Sequence, residues 1–229
     1  MLEKNRLAVV PTDAQQAMVR TAARALAAAN LAHAYGHCSL RLDDSHFLVC
    51  AARPMGCIDN QPGTVVPLAG PLPPGVLGEV RIHREIYRLR PNIGGVCRVM
   101  PPATMALSTI GVVPRARHGV GAFVASTPFW DDPRLLRDDT AAIALAQAMG
   151  ENAAIVMRGN GAVVAGETLP QAVTLAWFLE DAARVERDVR TMGGGAEHGL
   201  LSDDEIAARQ GWGGGVVERM WLHLTGETL

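Results

Sequence analysis

The sequence predicts an α/β protein in which helices alternate with short, buried strands. Its 229 residues, 48% of them hydrophobic and 19% charged, are enough for one large core. Residues 77–90 have the spacing of an amphipathic helix, and the apolar run 95–99 is typical of a strand that is buried on both faces. Residues 154–164 predict a hairpin around an Asn-Gly turn.

The first half of the chain is predicted to contain one long helix and a hairpin. Thr12 is expected to be the N-cap of a helix over residues 14–34, which ends at Tyr35 and Gly36. The predicted strands that follow are residues 39–42, 47–50 and, inside the proline-rich loop 51–78, 64–66.

The second half is predicted to begin with the helix 77–90 and the strand 95–99. The later elements, in order, are a short helix from Pro102, a strand and loop over 111–124, a helix over 138–149, strands at 154–157 and 162–164, and a helix from Thr168 to about 190. Residues 1–192 are predicted to form one domain. Residues 193–229 are predicted to be a helical extension that packs on this domain or on a neighbouring subunit.

Composition and charge exclude several classes of partner. The net charge of −2 gives no reason to expect nucleic acid or a membrane as a partner. The four cysteines are scattered and are expected to be reduced thiols. The N-terminus lacks the apolar core of a signal peptide, and no apolar run approaches the roughly 20 residues that span a bilayer. We therefore expect a cytoplasmic protein with a small-molecule substrate.

Three segments resemble the class II aldolase/adducin family. They are Tyr-Gly-His-Cys-Ser-Leu-Arg-Leu at 35–42, the helix, turn and strand at 79–102, and the hairpin and helix at 155–183. The resemblance implies a three-layer α/β/α sandwich around a mostly antiparallel central sheet. It also implies a homotetramer whose active sites lie between subunits.

A few details resemble one branch of that family. Gly36-His37 with Ser39, Arg158-Gly159, and Trp221 near the C-terminus are similar to decarboxylases of hydroxylated aromatic and pyridine dicarboxylates, more than to sugar-phosphate aldolases. In such relatives a divalent metal holds the enolate that forms when a carbon–carbon bond breaks. The glutamate that matches Glu79 acts there as an acid/base or as an additional ligand.

The three histidines that hold the family's metal are replaced in this chain. Their positions carry Arg98, Met100 and Asn160. Arginine is a cation with no lone pair to donate, and a thioether suits copper(I) better than zinc. We therefore expect that the metal site is lost and that the protein uses no cofactor.

The three candidate catalytic residues each allow two interpretations. Glu79 is either a glutamate that complements a helix dipole or an acid/base group. Arg98 either forms a structural ion pair, with Glu79 as an available partner, or replaces the lost metal as a fixed cation. Asn160 is either the left-handed residue of a hairpin turn or an amide that faces the pocket.

The candidate substrate-binding residues are less strongly marked by the sequence. His37 is either a structural histidine or, with Ser39, part of the turn that binds the substrate in the family. Met100 is expected to pack, and His83 is expected to have a structural role. The remaining candidates, which lie in loops that could reach the pocket, are Arg53 and His118.

Three functions remain open from the sequence. The first is a metal-independent lyase or isomerase that passes through an enolate, with Arg98 and Asn160 stabilising the charge and Glu79 or His37 moving the proton. The second is a non-catalytic scaffold or ligand-binding protein, as in the adducins. The third is a rebuilt metal site that uses Glu79, His37, His118 or Cys97.

Overall fold

The fold is built on one seven-stranded sheet. A computed structural model describes residues 9–229 of the chain. The strands are β1 (His37–Arg41), β2 (His46–Val49), β3 (Thr64–Pro67), β4 (Gly95–Val99), β5 (Phe129–Trp130), β6 (Ala154–Met157) and β7 (Ala162–Gly166). Their spatial order is β3-β2-β1-β4-β7-β6-β5, and every neighbouring pair except β5–β6 is antiparallel. The sheet is therefore mixed, with the parallel pair at one edge.

Helices cover both faces of this sheet. They are α1 (Asp13–Ala28), α2 (Val80–Leu89), α3 (Pro102–Ser108), α4 (Asp139–Met149), α5 (Leu169–Thr191), α6 (Asp203–Arg209) and α7 (Val216–Thr225). Alternate residues of a strand face opposite sides. In β4, Val96 packs with α2 and α4, whereas Cys97 packs with α1, α5 and α7. The predicted three-layer α/β/α sandwich is confirmed.

The predicted N-cap of α1 is confirmed, but the end of this helix is not where the sequence places it, and α2 begins at Val80 rather than at residue 77. Thr12 caps α1 and forms a capping box with Gln15. The helix ends at Ala28, and Asn30 has φ +57°, a backbone conformation that stops a helix. The prediction that the helix reaches residue 34 is therefore wrong.

Two further differences concern short segments. Residues 111–124 contain no strand, and a 3₁₀ helix occupies Gly119–Val124. The strand β5 has only two residues, so it carries too little alternation to be recognised from the sequence.

The segment after residue 192 packs against the rest of the chain. Trp221 of α7 is buried, and α7 contacts α1 and α5. Arg117 binds Glu186 at 2.8 Å and the carbonyl of Ala196 at 2.7 Å, which ties this segment to α5. Within residues 9–229 no helix is both long and apolar enough to cross a membrane.

Candidate functional site

Arg98 joins three elements at one end of the sheet. It is the fourth residue of β4, and its side chain is only 2% exposed. Its Nη2 donates to Asn160 Oδ1 at 2.7 Å, and its Nη1 donates to the carbonyl of Val99 at 2.8 Å. Glu79 Oε1 lies 3.9 Å from the same Nη2. Asn160 is therefore the closer partner, and the ion pair with Glu79 is long. We call Arg98, Asn160 and Glu79 the Arg98 group.

Glu79 is the most exposed residue of this group. It is the N-cap residue of α2 rather than part of its first turn, and its side chain caps no backbone N–H. Its side chain is 19% exposed, which leaves it in contact with solvent although Oε1 itself is buried. Glu79 therefore does not stabilise the helix by a side-chain cap.

Asn160 reaches Arg98 because two glycines shape the turn between β6 and β7. Gly159 and Gly161 have φ +59° and +71°, and Asn160 does not have a positive φ. The interpretation of Asn160 as the left-handed residue of the turn is therefore wrong. A Cβ on Gly161 would lie 2.1 Å from the carbonyl oxygen of Val99, so only glycine lets this turn approach β4.

Four buried polar atoms of this region have no hydrogen-bond partner within the protein. They are His37 Nε2, Glu79 Oε1, Arg98 Nε and Asn160 Nδ2. Nine such side-chain atoms occur among the described residues, and five belong to candidates that the sequence had already selected: these four and Nδ1 of His118. Buried polar groups are ordinarily paired, and this concentration is typical of a site that receives a ligand.

His37 lies opposite Arg98 in the register of β1 and β4, so both side chains are on the α2 face. Burial, and secondly the charge of Arg98, lower the pKa of His37 to about 3. Burial also lowers the pKa of His83 well below its usual value, with the charges of His37 and Arg98 adding to the effect. Both rings are therefore neutral near pH 7.

A hydrogen-bonded chain of side chains runs from His37 into the core. His37 Nδ1 lies 2.8 Å from His83 Nε2, and His83 Nδ1 lies 2.7 Å from Ser39 Oγ. Ser39 Oγ lies 2.9 Å from the hydroxyl of Tyr87, which donates to the carbonyl of Ser39 at 3.0 Å. We call these four residues the His37 chain. Ser39 is fully buried within it and offers no surface to a ligand.

The sequence analysis did not assign His83 and Tyr87 to the site. Two spacings in the sequence indicate that these residues could face a common site. His83 and Tyr87 are four apart on α2, and His37 and Ser39 are two apart on β1, so each pair lies on one face of its element. The pairing of these two faces is a tertiary contact that neither spacing reveals alone.

A cavity of about 10 Å³ adjoins His37, which is about the size of one water molecule. It is lined by His37, Val49, Cys50, Ala52, Thr64, Gly75, Val76, Leu77 and Val80. This lining contains no lysine or arginine, so its side chains supply no cation for a phosphate group.

The remaining candidates lie apart from the Arg98 group in their contacts. Met100 is partly buried, and its backbone N–H donates to Leu31 at 2.9 Å. Arg53 is exposed in the loop after β2. His118 Nε2 bonds to Asp181 at 2.8 Å, so its partner comes from α5 and not from the Arg98 group.

The donor atoms at the three metal-ligand positions do not fit a divalent metal. They are a guanidinium, a thioether and an amide that is already bonded to the guanidinium. Across residues 9–229 no group of three His, Cys, Asp or Glu side chains could hold a metal ion. Cys97 also lies on the opposite face of β4 from Arg98, in the core beside α1. The rebuilt metal site proposed as a third possibility has no support.

Comparisons with known proteins agree with this fold. The 3,4-dihydroxyphthalate decarboxylase of Terrabacter sp. (strain DBF63) is 29% identical over 234 residues, which cover 92% of this chain and 95% of that protein. Beta-adducin of Homo sapiens is 25% identical over 127 residues, which cover 54% of this chain and 17% of beta-adducin. The structure of L-fuculose-1-phosphate aldolase from Thermus thermophilus is 27% identical and superposes with a TM-score of 0.71, over 79% of this chain and 97% of that chain.

The family model for the class II aldolase and adducin N-terminal domain matches residues 16–186, which include β1, β4, α2 and the turn that carries Asn160. That range is well over half of the 229 residues. The chain belongs to the class II aldolase and adducin family.

Proposed function

We propose that this chain is a lyase that removes a carboxylate from a small hydroxylated aromatic acid without the metal of its family. The observation that carries the proposal is the group of four unpaired polar atoms around a buried cation, on His37, Glu79, Arg98 and Asn160. The similarity to a 3,4-dihydroxyphthalate decarboxylase over nearly the whole chain supports the choice of substrate class.

Arg98 is the proposed replacement for the metal. Its guanidinium is 2% exposed and is held by Asn160 and the carbonyl of Val99, so its position is fixed before substrate binds. A fixed cation in a site shielded from water stabilises developing negative charge more than the same cation in solution does. We expect Arg98 to contribute on the order of 3 kcal/mol to stabilising the transition state.

The proposed reaction proceeds through a keto form of the ring. The carbon that bears the carboxylate takes a proton from Glu79 while the neighbouring hydroxyl releases its proton to solvent. The bond from that carbon to the carboxylate then breaks, carbon dioxide leaves, and the electron pair restores the ring with negative charge on the oxygen beside Arg98. The oxygen regains a proton, and solvent reprotonates Glu79, which is exposed enough to exchange.

A sugar phosphate is the less suitable substrate. Arg98 is the one cation among the four residues whose unpaired atoms define the proposed site, and the lining of the cavity beside His37 adds no second one. Phosphate groups are bound by arginine, lysine or helix N-termini that neutralise their charge. A planar carboxylate that meets the single cation Arg98 suits these residues better.

We further propose that the protein is a homotetramer with sites between subunits, as the family resemblance implies. In that arrangement Arg53, Met100 and His118 would bind substrate from the rim. The molar mass measured by light scattering tests the assembly, and a monomer would contradict it.

Turnover of 3,4-dihydroxyphthalate, followed as released carbon dioxide, tests the proposed function. We expect kcat/KM to fall about 100-fold in Arg98→Ala, because about 3 kcal/mol of charge stabilisation is lost. Arg98→Lys keeps a charge but loses the planar fork of the guanidinium, so its activity is expected to lie between that of the wild type and that of Arg98→Ala. The matched control is Arg187→Ala, which removes an exposed arginine of α5.

Two results would contradict the proposal. One is a folded Arg98→Ala variant whose turnover equals that of the wild type. The other is no turnover of any hydroxylated aromatic acid by the wild type, which would favour a non-catalytic protein. The partial similarity to beta-adducin makes the second outcome a specific alternative.

A further inference from the structure

We propose that the single hydroxyl proton of Tyr87 fixes the polarity of the whole His37 chain, so that His37 presents an unprotonated Nε2 to a substrate hydroxyl. Tyr87, Ser39 and His83 are then positioning residues, and His37 determines specificity. The tautomer of His37 stands on the geometry of the chain alone, and the identity of its ligand as a hydroxyl rests on the proposed function.

The direction of each bond follows from counting protons. Tyr87 has one hydroxyl proton, and the carbonyl of Ser39 at 3.0 Å can only accept. If Tyr87 used its proton elsewhere, two oxygen lone pairs would face each other in a buried site. Tyr87 therefore donates to the Ser39 carbonyl and must accept from Ser39 Oγ, which lies 2.9 Å away.

The same count continues along the chain to its open end. Ser39 Oγ has used its proton on Tyr87, so it accepts from His83 Nδ1 at 2.7 Å. A neutral His83 with its proton on Nδ1 has a bare Nε2, which accepts from His37 Nδ1 at 2.8 Å. His37 is then left with a lone pair on Nε2, and this atom is buried without a partner.

Burial and charge keep the two rings in the neutral forms that this count requires. The pKa of His37 is lowered to about 3, and that of His83 is also lowered well below its usual value. The pKa of Tyr87 is raised by burial, so its hydroxyl keeps the proton that sets the direction. Arg98 lies opposite His37 and disfavours any added positive charge on the ring.

A bare nitrogen beside a buried cation selects for a ligand that carries both a donor and negative charge. His37 Nε2 can accept from a hydroxyl, and Arg98 can bind an oxyanion or a carboxylate. A ligand whose hydroxyl is methylated leaves this nitrogen unpaired in a buried site. Sites built to bind a hydroxyl reject such analogues more strongly than apolar pockets reject an added methylene.

Nitrogen-15 NMR of the histidine-labelled protein tests the polarity directly. For the wild type between pH 6 and 8 we expect His37 to be neutral, with its proton on Nδ1 and none on Nε2. In Tyr87→Phe, Ser39 Oγ loses its acceptor and turns to donate to His83 Nδ1. We expect His83 and His37 then to change tautomer, which puts the His37 proton on Nε2.

The chain offers a matched control for this substitution. Tyr35 is the other of its two tyrosines and is 71% exposed, so Tyr35→Phe should leave the tautomer of His37 unchanged. If Tyr87→Phe does not fold, Ser39→Ala removes the acceptor of His83 Nδ1, so we expect His37 to show a mixture of its two tautomers. The wild-type spectrum by itself decides the direction of the hydrogen bonds in the His37 chain.

Binding of 3,4-dihydroxybenzoate and of 3,4-dimethoxybenzoate tests the predicted specificity. We expect the wild type to bind the dihydroxy compound about tenfold more tightly, since the loss of a buried hydrogen bond costs about that factor. In Tyr87→Phe the ratio should fall towards one, because His37 can then donate to a methoxy oxygen.

Three results would overturn this inference. They are a wild-type His37 that carries its proton on Nε2, a tautomer that Tyr87→Phe and Ser39→Ala leave unchanged, and equal binding of the two benzoates by the wild type. If the wild type gives the expected NMR spectrum but decarboxylates no hydroxylated aromatic acid, the proposed function is rejected. The tautomer assignment then still stands.

Discussion

Arg98 illustrates how far a single residue can be interpreted from the sequence. A charged residue in an apolar strand is expected to be buried and paired, and both features are present. The sequence offered Glu79 as the partner, but the closer partner is Asn160, at 2.7 Å rather than 3.9 Å. Asn160 is 62 positions away and is brought close by a turn whose geometry depends on two glycines.

The neutral histidines of the His37 chain predict a pH dependence of stability. Both have a pKa below the unfolded value of about 6.5, so the unfolded chain binds more protons below that pH. The free energy of unfolding should therefore fall as the pH falls from 7 to 5, by about 1 kcal/mol per pH unit for each histidine once the pH is below about 6.

Urea unfolding of two variants measures this effect. In His37→Asn the free energy of unfolding should fall less steeply with falling pH, because His37 no longer contributes to the slope. His223→Asn changes an exposed histidine of α7 and should keep the wild-type slope. Equal slopes in the two variants would show that His37 is not held neutral by burial.

The elements bring the candidate residues together by strand register and close turns. The register of β1 and β4 places His37 opposite Arg98, and the approach of the β6–β7 turn to β4 places Asn160 beside Arg98. The sequence predicts these strands and this hairpin well, because apolar runs and Asn-Gly turns are local signals. These local signals do not reveal which strands are neighbours. The grouping of Glu79, Arg98 and Asn160 came from the resemblance to the family, and the contact of His83 and Tyr87 with β1 is visible only in the structure.

The two glycines of this turn provide a test at the scale of the element. Gly161→Ala should destabilise the protein by more than Gly159→Ala, because its Cβ would lie 2.1 Å from the carbonyl oxygen of Val99. Gly159 has a similar positive φ but no atom within 4 Å of an added Cβ, so its substitution measures backbone strain alone, about 1 kcal/mol.

The difference in the free energy of unfolding, measured in urea, isolates the effect of close approach. We expect Gly161→Ala to cost at least about 1 kcal/mol more than Gly159→Ala and to reduce turnover, since Asn160 is displaced from Arg98. Equal costs for the two substitutions would mean that the approach of this turn to β4 is not required.

The molecule as a whole keeps the sandwich of its family, and the change of chemistry that we propose lies at one end of the sheet. The helices and strands were predictable from local patterns of apolar residues, and the sandwich that they form was implied by the resemblance to the family. The proposed change of chemistry could be inferred from the sequence because it falls on three positions where the resemblance to the family implies histidine. Here these positions carry Arg98, Met100 and Asn160, whose side chains do not form a metal-ligand set.

The metal content of the native protein, measured by elemental analysis together with turnover in a chelator, tests this account most directly. The control is a triple variant, Arg98→His with Met100→His and Asn160→His, which should gain a divalent metal that the chelator removes. For the wild type we predict far less than one equivalent of metal per chain and turnover that a chelator leaves unchanged. One equivalent of zinc, manganese or iron per chain, removed by the chelator together with the activity, would contradict the account.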